Sequence, residues 1–153
     1  MTSSTTLAYS RLFRSLLVAV HEFKVAQPDE TTVFNWIVQT LSNGLYYLST
    51  MGFHSGLCTQ NAWDKGWSAS FLTKEHPYGR KASTEYLLKL ALEGVSEEEF
   101  DREFQNRVTF HLTTKDENEK LKQWFKANPD GTPEEAYAAV CSPLKKWVTP
   151  SKR

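Results

Sequence analysis

The sequence predicts an all-α protein, a bundle of about six helices with a long aromatic-rich loop at residues 52–80. Three observations favour this fold class. Apolar residues recur at helical spacing through the first fifty positions, Ser/Thr-x-x-Glu capping boxes mark helix starts in the second half, and glycines interrupt the pattern between them. A chain of 153 residues has the length of one domain, so we expect a single helical domain over 1–153.

Composition and charge exclude several classes of protein. Lys+Arg and Asp+Glu both number 18, so the formal net charge is zero and no nucleic-acid partner is expected. The two cysteines, Cys58 and Cys141, are too few and too far apart for a disulfide framework or a zinc ribbon. Because no apolar run reaches the ~20 residues that a membrane span needs, we expect no transmembrane segment.

The first segment, residues 8–50, is predicted to be a helical hairpin. Helix one runs from about Ala8 to Ala26 and carries its apolar residues on one broad arc. Gln27-Pro28-Asp29 separates it from helix two, which is apolar nearly all round and is therefore expected to be central.

Residues 52–80 are interpreted as an ordered loop, because glycines at four positions break every periodicity there. A loop of this length in a compact domain is usually either functional or a wrong assignment. Trp63 and Trp67 lie among polar residues in this loop, and Trp is a favoured anchor at protein interfaces. Core packing and partner contact are both open for these residues, and we predict that both tryptophans contact a protein partner.

The remaining segment, residues 83–142, is predicted to hold short capped helices, followed by a basic tail at 143–153. The signals are a C-terminal glycine and three capping boxes, namely Gly94, Ser96 with Glu99, Thr114 with Glu117, and Thr132 with Glu135. Residues 108–113 alternate between apolar and polar, so a short strand is an alternative there.

No motif for nucleotide binding or nucleophilic catalysis occurs, so we predict a non-enzymatic protein with no cofactor of its own. His54-x3-Cys58 has the spacing of two metal ligands on a helix, but zinc needs three or four ligands, and no metal site is expected. Arg14-x6-His21 resembles the Arg–His pattern of HEPN ribonucleases, which implies RNA cleavage as a minor alternative.

Residues 8–44 resemble the first two helices of the LYR-motif proteins. That family shows an aliphatic-aromatic-arginine triplet, a Leu-Leu pair and a later Phe, here Leu12, Phe13, Arg14, Leu16, Leu17 and Phe23. Helix two continues the resemblance with Phe34, Ile37, Leu41 and Asn43. It departs from the family pattern in having no Arg or Lys from Asp29 to Met51.

The resemblance implies an accessory or assembly subunit of a larger mitochondrial complex that binds acyl carrier protein. The partner would bring acyl-phosphopantetheine, whose chain enters an apolar groove. The implied partner contacts are Arg11, Leu12, Phe13, Arg14, Phe23 and Lys24, and the implied acyl groove is Leu16, Ala19, Phe34, Ile37 and Leu41.

The first 21 residues contain no Asp or Glu and include two arginines, which resembles the start of a mitochondrial protein as well as an ordinary first helix. We expect a mitochondrial location, with a cytoplasmic one as the alternative. In the cytoplasmic case the chain would be a protein-binding or inhibitory protein of phage or bacterial type, using Trp63 and Trp67.

Overall fold

A computed structural model describes residues 3–49, 54–66 and 70–147. The helices are α1 Ser3–Ala26, α2 Thr31–Ser49, α3 Gln60–Lys65, α4 Arg80–Glu93, α5 Glu97–Val108, α6 Lys115–Ala127 and α7 Pro133–Val140. The strands are β1 His54–Thr59, β2 Leu72–Glu75, β3 Phe110–Thr114 and β4 Leu144–Lys146. None of the helices in these ranges combines the length and the apolar character that crossing a bilayer requires.

These elements form two compact units, each assembled from two stretches of the chain. The helical unit contains α1, α2, α4 and α5, and the sheet unit contains the four strands with α3, α6 and α7.

The all-α prediction is wrong, because the sheet unit contains a four-stranded mixed sheet. Its strand order is β2-β3-β1-β4, with β1 parallel to β3 and the other two pairs antiparallel. The predicted loop at 52–80 instead contributes β1, α3 and β2. Short strands whose partners are distant in sequence leave little local signal. Only β3 shows the alternation that predicts a strand, and the structure confirms that strand.

The core of the helical unit joins all four of its helices. Phe13 of α1 packs on Phe104 of α5 with ring centroids 5.7 Å apart. Around this pair lie the other buried core residues Leu17, Leu45, Leu87, Leu90, Ala91, Phe100 and Val108. Helix α4 contacts both α1 and α2, so the predicted hairpin is closed by a third helix.

The predicted helix ends are confirmed. Gly94 ends α4 in the left-handed conformation with φ 70°, and the Ser96 side chain accepts a hydrogen bond from the backbone N–H of Glu99. Both members of the capping box bond reciprocally at Thr114 and at Thr132. Local sequence therefore sets these helix starts.

Leu87 and Leu92 lie on α4, with Leu87 fully buried and Leu92 44% exposed. We expect Leu87→Ala to lower the free energy of unfolding by about 2–5 kcal/mol, because it leaves a cavity in the core. The matched control Leu92→Ala should change it by about 0.5 kcal/mol or less. Urea unfolding followed by far-ultraviolet circular dichroism measures both, and equal losses would contradict this account of the core.

Candidate functional site

Helix α1 carries two apolar stripes rather than the single arc that the sequence suggested. Phe13, Leu17 and Val20 form a core stripe that is buried in the helical unit. Leu12, Leu16 and Ala19 form an outer stripe, roughly 100° away around the helix axis at 3.6 residues per turn. Leu12 is 57% and Leu16 is 42% exposed, and Ala19 is exposed as well. The residues implied by the resemblance are therefore divided between the interior and the surface.

Arg14 is used inside the helical unit. Its Nη2 donates a 2.7 Å hydrogen bond to the backbone carbonyl of Val95, and its guanidinium lies over the Phe100 ring, 5.3 Å from the centroid. This anchors α1 to the start of α5. Neither Arg14 nor the buried Phe13 is presented to a partner in this conformation.

The other predicted basic contacts also have partners within the unit. Arg11 forms an exposed ion pair with Glu97, with Nη2 and Oε2 2.9 Å apart. The Lys24 ammonium lies 4.2 Å from the centroid of the Phe34 ring. Exposed pairs of this kind contribute little to stability, so Arg11 is readily exchanged toward a partner.

The predicted acyl-groove residues are only partly brought together. A pocket of about 440 Å³ lies between α1, α2 and α4, and Phe34 lines it. Its apolar walls are Leu17, Val20, Phe34, Val38 and Leu88. Leu16 and Ala19 belong to the outer stripe, while Leu41 packs against the core and Ile37 is half-buried. Phe23 is half-buried near the end of α1.

Of the two tryptophans predicted to contact a partner, the structure describes Trp63. Trp63 is half-buried, because Trp147 packs edge-on against it at 5.7 Å and the Lys145 ammonium covers its ring at 4.5 Å. Trp67 lies outside the described residues. Among the tryptophans in the described ranges, the exposed one is Trp36 on α2, at 69% of its surface. It was missed because α2 is apolar nearly all round. The sequence signal for the exposure of Trp36 is that it does not belong to the apolar stripe Phe34, Ile37 and Leu41 of the same helix.

The metal and ribonuclease patterns gain no support from geometry. In the three described ranges, no three side chains of His, Cys, Asp or Glu are grouped to hold a metal ion. His54 lies on a strand with Nε2 3.1 Å from the Leu57 carbonyl, and Cys58 is fully buried. Arg14 and His21 share α1, and RNA cleavage by this pair stays a prediction.

Glu117 is a buried carboxylate at the start of α6, only 2% exposed. Its Oε2 accepts from Thr59 Oγ1 at 2.6 Å and from the backbone N–H and hydroxyl of Thr114 at 3.0 Å each. Its Oε1 accepts from the Asn61 amide at 3.0 Å and from the N–H and hydroxyl of Ser142 at 3.0 and 2.8 Å. One side chain thus joins the end of β1, the start of α3, the start of α6 and the link between α7 and β4.

These hydrogen bonds decide the charge of Glu117. Burial by itself raises the pKa of a carboxyl group, but the bonds from Thr59, Ser142 and Thr114 outweigh it and lower the pKa of Glu117 from 4.5 to about 2. Because the folded-state pKa lies below the unfolded one, this stabilisation is present above about pH 4.5 and is lost as the pH falls toward 2.

A second polar group occupies the sheet itself. Ser55 Oγ lies 2.6 Å from His111 Nδ1 across the parallel β1–β3 pair, and Glu75 of β2 is the register partner of His111. Tyr137 of α7 packs edge-on against the His111 ring at 5.5 Å. Burial, and to a smaller degree the charge of His54, lowers the pKa of His111. The imidazole is therefore neutral near pH 7.

Burial also raises the pKa of Glu75 to about 7, with the charge of Lys122 partly opposing it. The pKa of the Tyr137 hydroxyl is raised by burial and then by the Glu75 charge. A partly ionised Glu75 and an un-ionised Tyr137 thus lie beside His111. Sequence reasoning did not bring these residues and Ser55 together, because they come from four different elements.

Comparison with known protein families, with curated proteins and with solved structures finds no match to this chain.

The chain offers a matched test of Glu117, since Thr132 and Glu135 repeat the same capping box on the surface. We expect Glu117→Gln to lower the free energy of unfolding at pH 7 by about 3 kcal/mol, which is the value of a pKa change from 4.5 to about 2. Glu135→Gln should have a much smaller effect. Urea unfolding at pH 7 and pH 3 measures both, and the difference between wild type and Glu117→Gln should shrink at pH 3.

Glu75 should have the opposite pH dependence. Its folded-state pKa of about 7 exceeds the ordinary 4.5, so its contribution to stability is greatest below pH 4.5 and is lost as the pH rises through 7. We expect Glu75→Gln to raise the free energy of unfolding at pH 8.5 by about 1–3 kcal/mol and to change it little at pH 4.5. A stabilisation that is equal at both pH values would show that ionisation of Glu75 is not its cause.

Proposed function

We propose that this chain is a protein-interaction module whose helical unit binds a protein partner through the outer stripe of α1. The observation that carries the proposal is the exposure of Leu12 and Leu16, 57% and 42%, one helical turn apart on the same face. Single exposed apolar residues are ordinary, but consecutive ones on one helix face are typical of a helix that packs against a partner.

The resemblance to LYR-motif proteins supports an acyl carrier protein as that partner. Arg11 precedes Leu12 and is exposed, so its guanidinium lies beside the outer stripe and suits an acidic surface. Arg14 contributes nothing to docking while it is bonded to the Val95 carbonyl. Docking is therefore expected to depend mainly on Leu12 and Leu16, with Arg11 as the main charged contact.

The pocket between α1, α2 and α4 is the place we assign to the acyl chain of such a partner. Its volume of about 440 Å³ and its apolar wall of Leu17, Val20, Phe34, Val38 and Leu88 suit an aliphatic chain, whereas the rest of its lining is polar and includes Lys81 and Glu85. Each buried methylene contributes about 0.8 kcal/mol, so affinity should rise with chain length until the pocket is filled. A role in a larger mitochondrial assembly rests on the same resemblance and on the acid-poor first 21 residues.

We expect the double substitution Leu12→Glu/Leu16→Glu to weaken binding of acyl carrier protein at least tenfold. Two apolar side chains that the complex would bury become charged. Leu92→Glu is the matched control, because Leu92 is also exposed, at 44%, but lies on α4. Isothermal titration with acylated and unacylated carrier protein measures the affinity, and circular dichroism confirms folding. Absence of binding by the wild type, or equal binding by both variants, would overturn the proposal.

A second candidate is supported by Trp36, which is 69% exposed. The alternative function predicted from the sequence is that of a cytoplasmic protein-binding or inhibitory protein. An exposed tryptophan on α2 suits the interface anchor of such a protein. In that case a partner captured from the source cells would be lost with Trp36→Ala and retained with Leu12→Glu/Leu16→Glu. The reverse pattern would exclude Trp36 as the main contact.

A further inference from the structure

The backbone of β1 is irregular where Ser55 lies. The register between β1 and β3 shifts between His54 and Cys58, as in a β-bulge, and Gly56 adopts φ 77°, which L side chains rarely adopt. The Gly56 carbonyl accepts a 2.7 Å hydrogen bond from the Trp147 backbone N–H. Bulges re-aim the neighbouring side chain and are over-represented next to active sites.

Ser55 and His111 share a short hydrogen bond. Ser55 Oγ lies 2.6 Å from His111 Nδ1 and accepts a 3.0 Å bond from the backbone N–H of Leu57. The tautomer of His111 sets the direction of the short bond, and in the tautomer with the ring proton on Nε2 the serine hydroxyl donates to Nδ1. A serine hydroxyl bonded to a neutral, half-buried imidazole is the arrangement that activates a nucleophile.

Two further groups share this side of the sheet. Glu75 is the register partner of His111 on β2, and side chains at paired positions lie on the same face. Tyr137 is 9% exposed, and its hydroxyl has no hydrogen-bond partner among the described residues. Within the same ranges the hydroxyls of Ser10, Ser83 and Thr113 are also buried without a partner, so the Tyr137 hydroxyl is singled out by the contact of its ring with His111.

We propose that Ser55 Oγ is a nucleophile toward small carboxylic esters, with His111 Nδ1 as its general base. Oγ forms a bond to the carbonyl carbon while its proton passes to Nδ1, and the ester C–O bond breaks as the alkoxide or phenolate leaves. The Nδ1 proton goes to the leaving group or to solvent, and Ser55 is left as an acyl ester. Water then attacks this ester with His111 again taking the proton, which releases the acid and restores Ser55. The Tyr137 hydroxyl is the donor assigned to the carbonyl oxygen.

The test uses the full chain with p-nitrophenyl acetate. We expect release of p-nitrophenolate together with one acetyl group on Ser55, located by peptide mass spectrometry of the wild type. His111→Gln should slow the acetylation of Ser55 by about 10²-fold or more, which is the usual effect of removing a general base. Tyr137→Phe should slow it as well, while Ser15→Ala is the control, because Ser15 is an exposed serine that bonds only to the Arg11 carbonyl.

Acetylation confined to lysines or to His111, or an acetylation rate of Ser55 that is unchanged in His111→Gln, would overturn the assignment. Mapping the acetyl group on the wild type requires no substitution at Ser55. Since Ser55, His111 and Tyr137 all lie in the sheet unit, the outcome is independent of carrier-protein binding by α1. A positive result would also replace the prediction of a non-enzymatic protein.

Discussion

The sheet unit depends on one buried negative charge. The Glu117 carboxylate accepts six hydrogen bonds from Thr59, Asn61, Thr114 and Ser142. Removing a carboxylate from water is costly, and only a nearly complete set of donors offsets this. Because the donors lie up to 58 residues from Glu117 in sequence, the charge is satisfied only when β1, α6 and the α7–β4 link are in place together. The position of β1, and with it of Ser55 beside His111, follows from this arrangement.

The sequence alone predicts that Glu117 caps a helix, but it does not predict that Glu117 joins distant segments of the sheet unit. Thr114-x-x-Glu117 and Thr132-x-x-Glu135 are the same local pattern, and both were predicted as capping boxes and are observed. Local chemistry could not distinguish them, since Glu135 bonds only to its own helix start whereas Glu117 also receives bonds from Thr59 and Ser142. Whether a capping glutamate becomes the centre of a unit is decided by strands that pair over long distances, and periodicity does not encode that pairing.

In the helical unit, too, local periodicity predicts the helices but not which of their faces is buried. Periodicity located α1 and α2 correctly, but it gave α1 one broad arc of apolar residues. The fold chooses between the two stripes within that arc, because Phe104 of α5 packs on Phe13 and leaves Leu12 and Leu16 exposed. The missed strands β1 and β2 have a related cause. β1 is interrupted by Gly56 and a bulge, and β2 has only 4 residues, so neither shows the alternation that identified β3.

The internal partners of the basic residues change how a partner would be bound. Arg14 anchors α5 through the Val95 carbonyl, Lys24 lies over Phe34, and Arg11 already faces Glu97. A positively charged docking surface would therefore have to use basic side chains that already contact other residues of this chain. Replacing such an internal contact by one to a protein partner yields little net electrostatic energy. The apolar outer stripe has no such competition, because burying it removes only water. Association through α1 is thus expected to be driven by apolar burial, with charge affecting the encounter rate more than the affinity.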